Sequence, residues 1–95
     1  MANYRLSESA DDDLGRLYTY GVLNFGIEQT ERYTKGLIEH FQQLANAPLL
    51  YQAVDDIRQG YRRSVYHAHS VYYRVDGEEI EIVRVLGREN PQTAL

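Results

Sequence analysis

The second half of the chain contains three strand-like runs, and their close spacing restricts the fold more than any other feature. The runs are Tyr61–Tyr66, Ser70–Val75 and Ile80–Leu86, and each places at least one arginine among apolar residues or tyrosines. A short connection separates the first two runs, and Asp76-Gly77 between the next two is a strong hairpin signal. Strands joined this tightly pair antiparallel with their neighbours. The sequence therefore predicts a three-stranded antiparallel meander.

Apolar residues in the first half recur at helical spacing in two successive stripes. The first stripe is Leu14, Leu17, Tyr18, Gly21 and Phe25, and the second is Ile27, Thr30, Thr34, Leu37, Phe41, Leu44 and Ala45. Gly26 separates them and favours a helix stop in the left-handed conformation. Pro48 prevents the second helix, from about residue 27 to 46, from continuing much further. We therefore predict an antiparallel helical hairpin, preceded by a short strand at Tyr4–Leu6.

The start of the first helix carries cap residues and a run of acids. Ser7 offers a side-chain oxygen to the first turn, with Ser9 as the competing cap. Asp11, Asp12 and Asp13 follow, where carboxylates complement the positive end of the helix dipole. Consecutive helix positions point in different directions, so this run is interpreted as helix-start electrostatics rather than a metal site. The predicted class is α+β, with the hairpin packed on one face of the sheet.

Length and composition exclude several classes of protein. The 95 residues suit one domain, with residues 87–95 as a polar tail that adds at most a helical turn. Cysteine is absent, and no apolar run approaches the roughly 20 residues that span a bilayer. The N-terminus lacks the apolar core of a signal peptide, so we expect a cytoplasmic protein. A net charge of -4 argues against direct, sequence-independent nucleic-acid binding.

The basic residues are almost all arginine and are unevenly distributed. Residues 58–74 hold four arginines and no carboxylate, although the chain as a whole is acidic. Because a guanidinium binds planar anions through a rigid fork, this bias favours recognition over lysine chemistry. The predicted partner-binding residues are Arg62, Arg63, Arg84, Arg88 and Tyr73. The alternative is that some arginines only pair with carboxylates of the same chain, at Asp55, Asp56, Glu79 or Glu81.

Candidate catalytic and metal sites are weak. There is no cysteine nucleophile, and no serine lies in a nucleophile-elbow pattern. His67 and His69 share the spacing of a metal half-site but lack further ligands, so we predict no metal or cofactor and interpret His69 as a structural hydrogen-bonding residue. RNA cleavage stays open, because it needs only cations and a proton donor besides a base. The available groups are Arg62, Arg63, Arg74 and Arg84 as cations and Tyr61, Tyr66, Tyr72 or His69 as donors; a clear base is missing.

The last strand places apolar residues on both faces of the sheet. By strict alternation one face carries Ile80, Ile82, Arg84 and Leu86, and the other carries Glu81, Val83 and Val85. Both faces are therefore expected to be covered. The helical hairpin covers one, and either the C-terminal tail or a second protein covers the other.

Taken in order, these residues resemble the ParE toxins of bacterial toxin–antitoxin operons, within the wider RelE/ParE superfamily. The matching segments are Tyr4-Arg5-Leu6-Ser7, Ala10, Asp13-Leu14, Phe25-Gly26, Gln29, Tyr33, Leu44-Ala45-Asn46-Ala47-Pro48, Ile57-Arg58-Gln59-Gly60-Tyr61-Arg62-Arg63, His69-Ser70-Val71-Tyr72-Tyr73-Arg74-Val75 and Ile80-Glu81-Ile82-Val83-Arg84-Val85-Leu86. The resemblance covers nearly the whole chain and implies the fold derived above.

The resemblance also implies a function. Family members poison DNA gyrase by protein–protein contact, without catalysis, and a ParD-like antitoxin wraps and neutralises them in a hetero-oligomer. Relatives that cleave ribosome-bound mRNA carry lysine- and arginine-rich active sites, whereas this chain has the single lysine Lys35. The expected function is therefore gyrase inhibition, with RelE-like mRNA cleavage as the alternative. The chain departs from the family after the last strand, where Gly87–Pro91 replaces a histidine and a Met-Asp pair.

Overall fold

A strand, a helical hairpin and a meander follow one another in the order that the sequence predicts. The computed structural model describes residues 2–95. The elements are β1 (Asn3–Leu6), α1 (Glu8–Phe25), α2 (Ile27–Asn46), β2 (Gln52–Ala53), β3 (Tyr61–Tyr66), β4 (His69–Asp76), β5 (Glu79–Leu86) and α3 (Pro91–Ala94). The predicted α+β class, the hairpin and the three meander strands are confirmed.

The sheet has five strands in the order β1-β5-β4-β3-β2 and is mixed rather than purely antiparallel. β3, β4 and β5 form the predicted antiparallel meander. β1 lies parallel to β5, with Asn3 opposite Glu79 and Leu6 opposite Ile82. The whole helical hairpin separates these two strands along the chain, and a crossover of that length permits parallel pairing. β2, which the sequence did not predict, adds two residues beside Arg62 and Arg63.

Local signals fix the ends of the helical hairpin. The Ser7 hydroxyl accepts a hydrogen bond from the Ala10 amide at 3.0 Å, so Ser7 rather than Ser9 caps α1. Gly26 ends α1 and precedes α2 with φ 85° and ψ 163°. The positive φ agrees with the prediction, but the extended ψ lies outside the left-handed helical region. α2 ends two residues before Pro48, as expected for a helix stopped by proline.

The sheet carries a hydrophobic cluster on each face. The cluster under the helices contains Ala10, Leu37, Phe41, Leu44, Ala45, Val71, Tyr73, Ile80, Ile82 and Val85. On the opposite, outer face Val54, Tyr72 and Leu86 pack with Ile57, Tyr61, Ala94 and Leu95. The connector after β2 and the C-terminal residues therefore cover part of the outer face. This agrees with the alternative in which the C-terminal tail covers that face.

A bulge in β5 overturns the strict alternation predicted for that strand. Tyr72 pairs with Arg84 and Tyr73 with Ile82, so Val83 has no partner on β4. An unpaired residue shifts the following side chains to the other face of the sheet. Val85 consequently lies under the helices, while Leu86 lies on the outer face.

Some apolar residues predicted to be packed are exposed instead. Phe25 ends the first helical stripe and Ile27 begins the second, but they are 57% and 55% exposed, because they lie at the turn of the hairpin. Leu49 and Leu50, which follow α2, are also 70% and 75% exposed. Within residues 2–95, none of the helices combines the length and the apolar character that crossing a membrane requires.

Candidate partner-binding surface

Arg62 and Arg63 lie side by side on β3 but on opposite faces of the sheet. Arg62 pairs with the core residue Tyr73, whereas Arg63 pairs with Tyr72 of the outer face. The Arg62 guanidinium donates to the carbonyl oxygen of Tyr51 at 2.7 Å. Because neighbouring strand residues point to opposite sides, the two arginines cannot hold the same anion.

Tyr73 lies inside the core, where the sequence had suggested a contact residue. Its side chain has no exposed surface, and its hydroxyl donates to the carbonyl oxygen of Pro48 at 2.6 Å. Burial raises the pKa of Tyr73 to about 12. A side chain that is enclosed in this way supports the fold, so we leave Tyr73 out of the partner-binding surface.

Arg84 is bound by a buried carboxylate of α1. Its Nε donates to Oδ2 of Asp13 at 2.8 Å, and its Nη2 donates to Oδ1 at 2.9 Å. Asp13 is only 5% exposed and also accepts hydrogen bonds from the Val85 amide at 2.9 Å and from Arg16. The hydrogen bonds that Arg84 donates to Asp13 raise the pKa of Arg84. We call this pair, with the Val85 amide, the Asp13–Arg84 clasp.

Beyond the end of β1, residues at the start of α1, including Asp13 of the clasp, hydrogen bond to the backbone of β5. The Ser7 amide donates to the Ile82 carbonyl oxygen at 2.9 Å, and the Ser7 hydroxyl donates to that of Val83 at 2.7 Å. Further along β5, the Asp13 carboxylate accepts a hydrogen bond from the Val85 amide. Arg84 also donates to the Ala94 carbonyl oxygen at 2.7 Å, which ties α3 to the clasp. The start of α1 thus takes over the hydrogen-bonding role of a strand.

Two further arginines are engaged by carboxylates on the outer face. Arg5 contacts Asp76, Glu79 and Glu81, and Arg74 donates to Glu81 at 2.8 Å. The hydrogen bond from Arg5 lowers the pKa of Asp76. This network joins β1 to the β4–β5 hairpin, so the contacts of Arg5 and Arg74 stabilise the fold.

Arg88 lines a groove of about 800 Å³ on the helical side of the molecule. The groove lies between the helical hairpin, the β3–β4 turn and the segment after β5. Its charged lining residues include Arg16, Arg84, Arg88 and Glu89, and its apolar ones include Leu17, Tyr20 and Phe25. Among residues 2–95, neither Arg63 nor Arg88 has a carboxylate within salt-bridge distance. Arg62 and Arg84 also donate to backbone carbonyl oxygens, so among the predicted contact arginines Arg63 and Arg88 remain available to a partner.

Tyr33 and His69 form a titratable pair at the groove. The Tyr33 hydroxyl is hydrogen bonded to Nδ1 of His69 at 2.7 Å and lies 3.2 Å from the carbonyl oxygen of Tyr66. Burial raises the pKa of Tyr33 and lowers that of His69. The pair holds the β3–β4 turn against α2, which confirms the predicted structural hydrogen bond of His69.

The cations proposed for RNA cleavage do not come together. Arg74 and Arg84 are occupied by carboxylates, Arg62 and Arg63 point apart, and Tyr72 is buried on the outer face. In the part of the chain that the structure describes, no three histidine, aspartate or glutamate side chains are arranged to hold a metal ion. The candidate groups are therefore either cations on the surface or side chains that already have partners within the molecule.

The buried role of Asp13 was not predicted from the sequence. The run of three aspartates was interpreted as helix-dipole electrostatics, and this remains reasonable for the exposed Asp11 and Asp12. Asp13 differs because it faces the sheet, one helical turn before the apolar Leu17. That position on the inward stripe was the available signal, and its partner Arg84 lies 71 residues further along the chain.

Comparison with known proteins gives a consistent result. The family described as "ParE toxin of type II toxin-antitoxin system, parDE" matches residues 4–91. Toxin ParE1 of Caulobacter vibrioides is 40% identical over 86 residues, which cover 90% of this chain and 88% of that protein. Toxin ParE1 of Mycobacterium tuberculosis is 35% identical over 86 residues, with the same coverage. A solved structure described as the chromosomal ParDE TA system from P. aeruginosa shares the fold, with a TM-score of 0.81 at 23% identity over 94% of this chain and 98% of that one.

Proposed function

The chain belongs to the ParE toxin family of type II toxin–antitoxin systems, and from this membership we propose that it disables DNA gyrase by protein–protein contact and is neutralised by a ParD-like antitoxin. The observation that carries the proposal is the family match over residues 4–91. We propose that toxin and antitoxin form a hetero-oligomer in the cytoplasm and that the toxin acts without catalysis.

The arrangement of the arginines supports docking over mRNA cleavage. Cleavage requires several cations around one phosphate, together with an acid and a base. Here two of the four candidate cations are bound by Asp13 and Glu81, and the other two point to opposite faces of β3. Single cations presented on separate surfaces are suited to contacts with acidic side chains of a protein partner.

We expect the purified toxin to inhibit gyrase supercoiling at micromolar concentration, because a docking inhibitor must act at a concentration comparable with that of its target. Relaxed plasmid, gyrase and ATP would be incubated with and without toxin, and toxin premixed with its antitoxin would serve as the control. Unchanged supercoiling would contradict gyrase as the target. Cleavage of mRNA in a reconstituted translation reaction would show that the protein has the RelE-like activity instead of acting by docking.

Among the predicted contact residues we assign the antitoxin contact to Arg63 and Arg88. Arg63→Glu is expected to weaken antitoxin binding by about tenfold or more, since it replaces an attraction to an acidic partner with a repulsion. The salt dependence of binding should fall as well. Affinity would be measured by titration calorimetry at two salt concentrations.

Arg32→Glu, at an exposed position on α2, is the matched control and should leave affinity within about twofold. Equal losses in both variants would show an effect of net charge alone. Unaltered affinity in Arg63→Glu would assign that arginine to the structure of the toxin and not to the interface.

A further inference from the structure

His69 connects two walls of the groove on the helical side of the molecule. On one side, its Nδ1 atom is hydrogen bonded to the Tyr33 hydroxyl of α2 at 2.7 Å. On the other side lies the segment after β5. The Nε2 atom of His69 and a carboxylate oxygen of Glu89 each lie 3.8 Å from the position that a Cβ atom on Gly87 would take. The imidazole therefore contacts α2 through one nitrogen and faces the segment after β5 with the other.

The Tyr33 hydroxyl has one proton and two possible acceptors. They are Nδ1 of His69 at 2.7 Å and the carbonyl oxygen of Tyr66 at 3.2 Å. We assign the hydroxyl as the donor to Nδ1, because that contact is the shorter one, and the proton of the neutral ring then lies on Nε2. Protonation of His69 fills Nδ1, so the hydroxyl accepts from the ring and donates to Tyr66 instead. The same three groups thus have two hydrogen-bond arrangements, one for each charge state of the imidazole.

The charges around His69 decide how readily it is protonated. The titratable and charged groups on the elements packed around the ring are Tyr33 of α2, Tyr66 and His67 of β3 and its turn, Asp13 and Arg16 of α1, Arg84 of β5, and Arg88 and Glu89 after β5. Because Asp13 is bound by Arg84 and Arg16, Glu89 is the carboxylate of this set that acts on His69. Burial lowers the pKa of His69, and the charge of Glu89 offsets part of that effect. The folded protein therefore disfavours the charged ring, and Glu89 limits the cost.

The charge of His69 also changes the character of the groove. The groove is lined by three arginines and two carboxylates, a net charge of +1 that protonation of His69 raises to +2. The Glu89 carboxylate accepts from the Gly87 amide at only 3.3 Å, and a cation at Nε2 competes with that amide for the carboxylate. Since Glu89 directly follows Arg88, a movement of Glu89 toward His69 displaces the part of the wall that presents Arg88.

We propose that His69 is a pH-sensitive switch in the wall of the groove. At neutral pH the ring is uncharged and accepts the Tyr33 proton; in acid it is charged, reverses that hydrogen bond and attracts Glu89. The stability that neutral His69 contributes is fully present above about pH 6.5 and is lost as the pH falls through the lowered pKa of the folded protein. The inference goes beyond the proposed function, because it concerns the toxin alone and requires no partner.

The protonation of His69 can be followed by nuclear magnetic resonance on the full-length toxin. In the neutral form, the ring nitrogen shifts should show a protonated Nε2 and a bare Nδ1. Tyr33→Phe removes the donor to Nδ1 but keeps the ring, so the proton affinity of His69 should rise by about threefold or more. Glu89→Gln removes the attracting charge, so the proton affinity should fall. The opposite tautomer, or a titration of His69 that either variant leaves unmoved, would contradict the switch.

Thermal melting tests the consequence for stability. His69→Gln keeps a polar side chain that cannot be charged, and His67→Gln makes the same change at the exposed neighbour in the turn. Between about pH 8 and about pH 5, the melting temperature of the wild type should fall by about 2 °C or more beyond the fall in His69→Gln. His67→Gln should follow the wild type. His40, whose pKa burial also lowers, is present in all three proteins, so its contribution cancels. Equal falls in the wild type and His69→Gln would overturn the inference.

Discussion

Asp13→Ala is expected to lower the free energy of unfolding by about 3–5 kcal/mol, because it leaves Arg84 without its carboxylate in a largely enclosed site. The Val85 amide loses its hydrogen-bond acceptor at the same time. Domains of this size are stable by about 5–15 kcal/mol, so the loss is a large fraction of the total stability. Urea denaturation followed by circular dichroism would measure the difference.

Two further variants make this prediction specific to the clasp. Asp12→Ala changes the neighbouring, exposed aspartate and should alter the unfolding free energy by no more than about 0.5 kcal/mol. Arg84→Met removes the charge but keeps an apolar stem, and Asp13→Ala should cost less in that background because only the exposed Arg16 then loses a partner. Additive losses would mean that Asp13 and Arg84 act independently, contrary to the geometry of the clasp.

Gly36→Ala is expected to destabilise the protein by about 1–3 kcal/mol, although alanine is normally the better helix residue. Gly36 lies inside α2, and a Cβ atom at this position would lie 2.0 Å from the Tyr66 hydroxyl oxygen. Tyr66 is packed against Tyr33, His40 and His67, so its ring has little room to move. Thermal unfolding of the purified variant would measure the loss.

Tyr66→Phe should rescue this variant. Removing the hydroxyl leaves the nearest ring carbon 3.2 Å from the added Cβ, a contact that a small adjustment relieves. In the Tyr66→Phe background Gly36→Ala should therefore be nearly neutral, or stabilising by up to about 1 kcal/mol through helix propensity. An equal loss in both backgrounds would show that the hydroxyl is not the obstacle.

Local patterns were sufficient to predict the helices and the meander strands. The stop at Gly26, the cap at Ser7 and the turn at Asp76-Gly77 each act over a few residues, and the structure confirms them. The parallel pairing of β1 with β5 was not predictable in this way. It depends on where the hairpin returns the chain, which short-range periodicity does not encode.

The candidate site was predicted less well, for a related reason. The arginines of β3 and β5 were recognised, but composition cannot distinguish an available guanidinium from one that is bound within the molecule. Arg84 differs from Arg63 chiefly through Asp13, which the fold brings back across 71 positions. The bulge at Val83 likewise moved Val85 to the helical side, against the alternation of the sequence.

The order of the strands also bears on how the toxin is made in the cell. β1 is synthesised first but pairs only with β5, which is synthesised last among the strands. A nascent or prematurely terminated product that ends before Glu79 therefore lacks the neighbour of β1 and one half of the clasp. Such fragments cannot form the β1–β5 pair, so the sheet is completed only after the last strand has been synthesised.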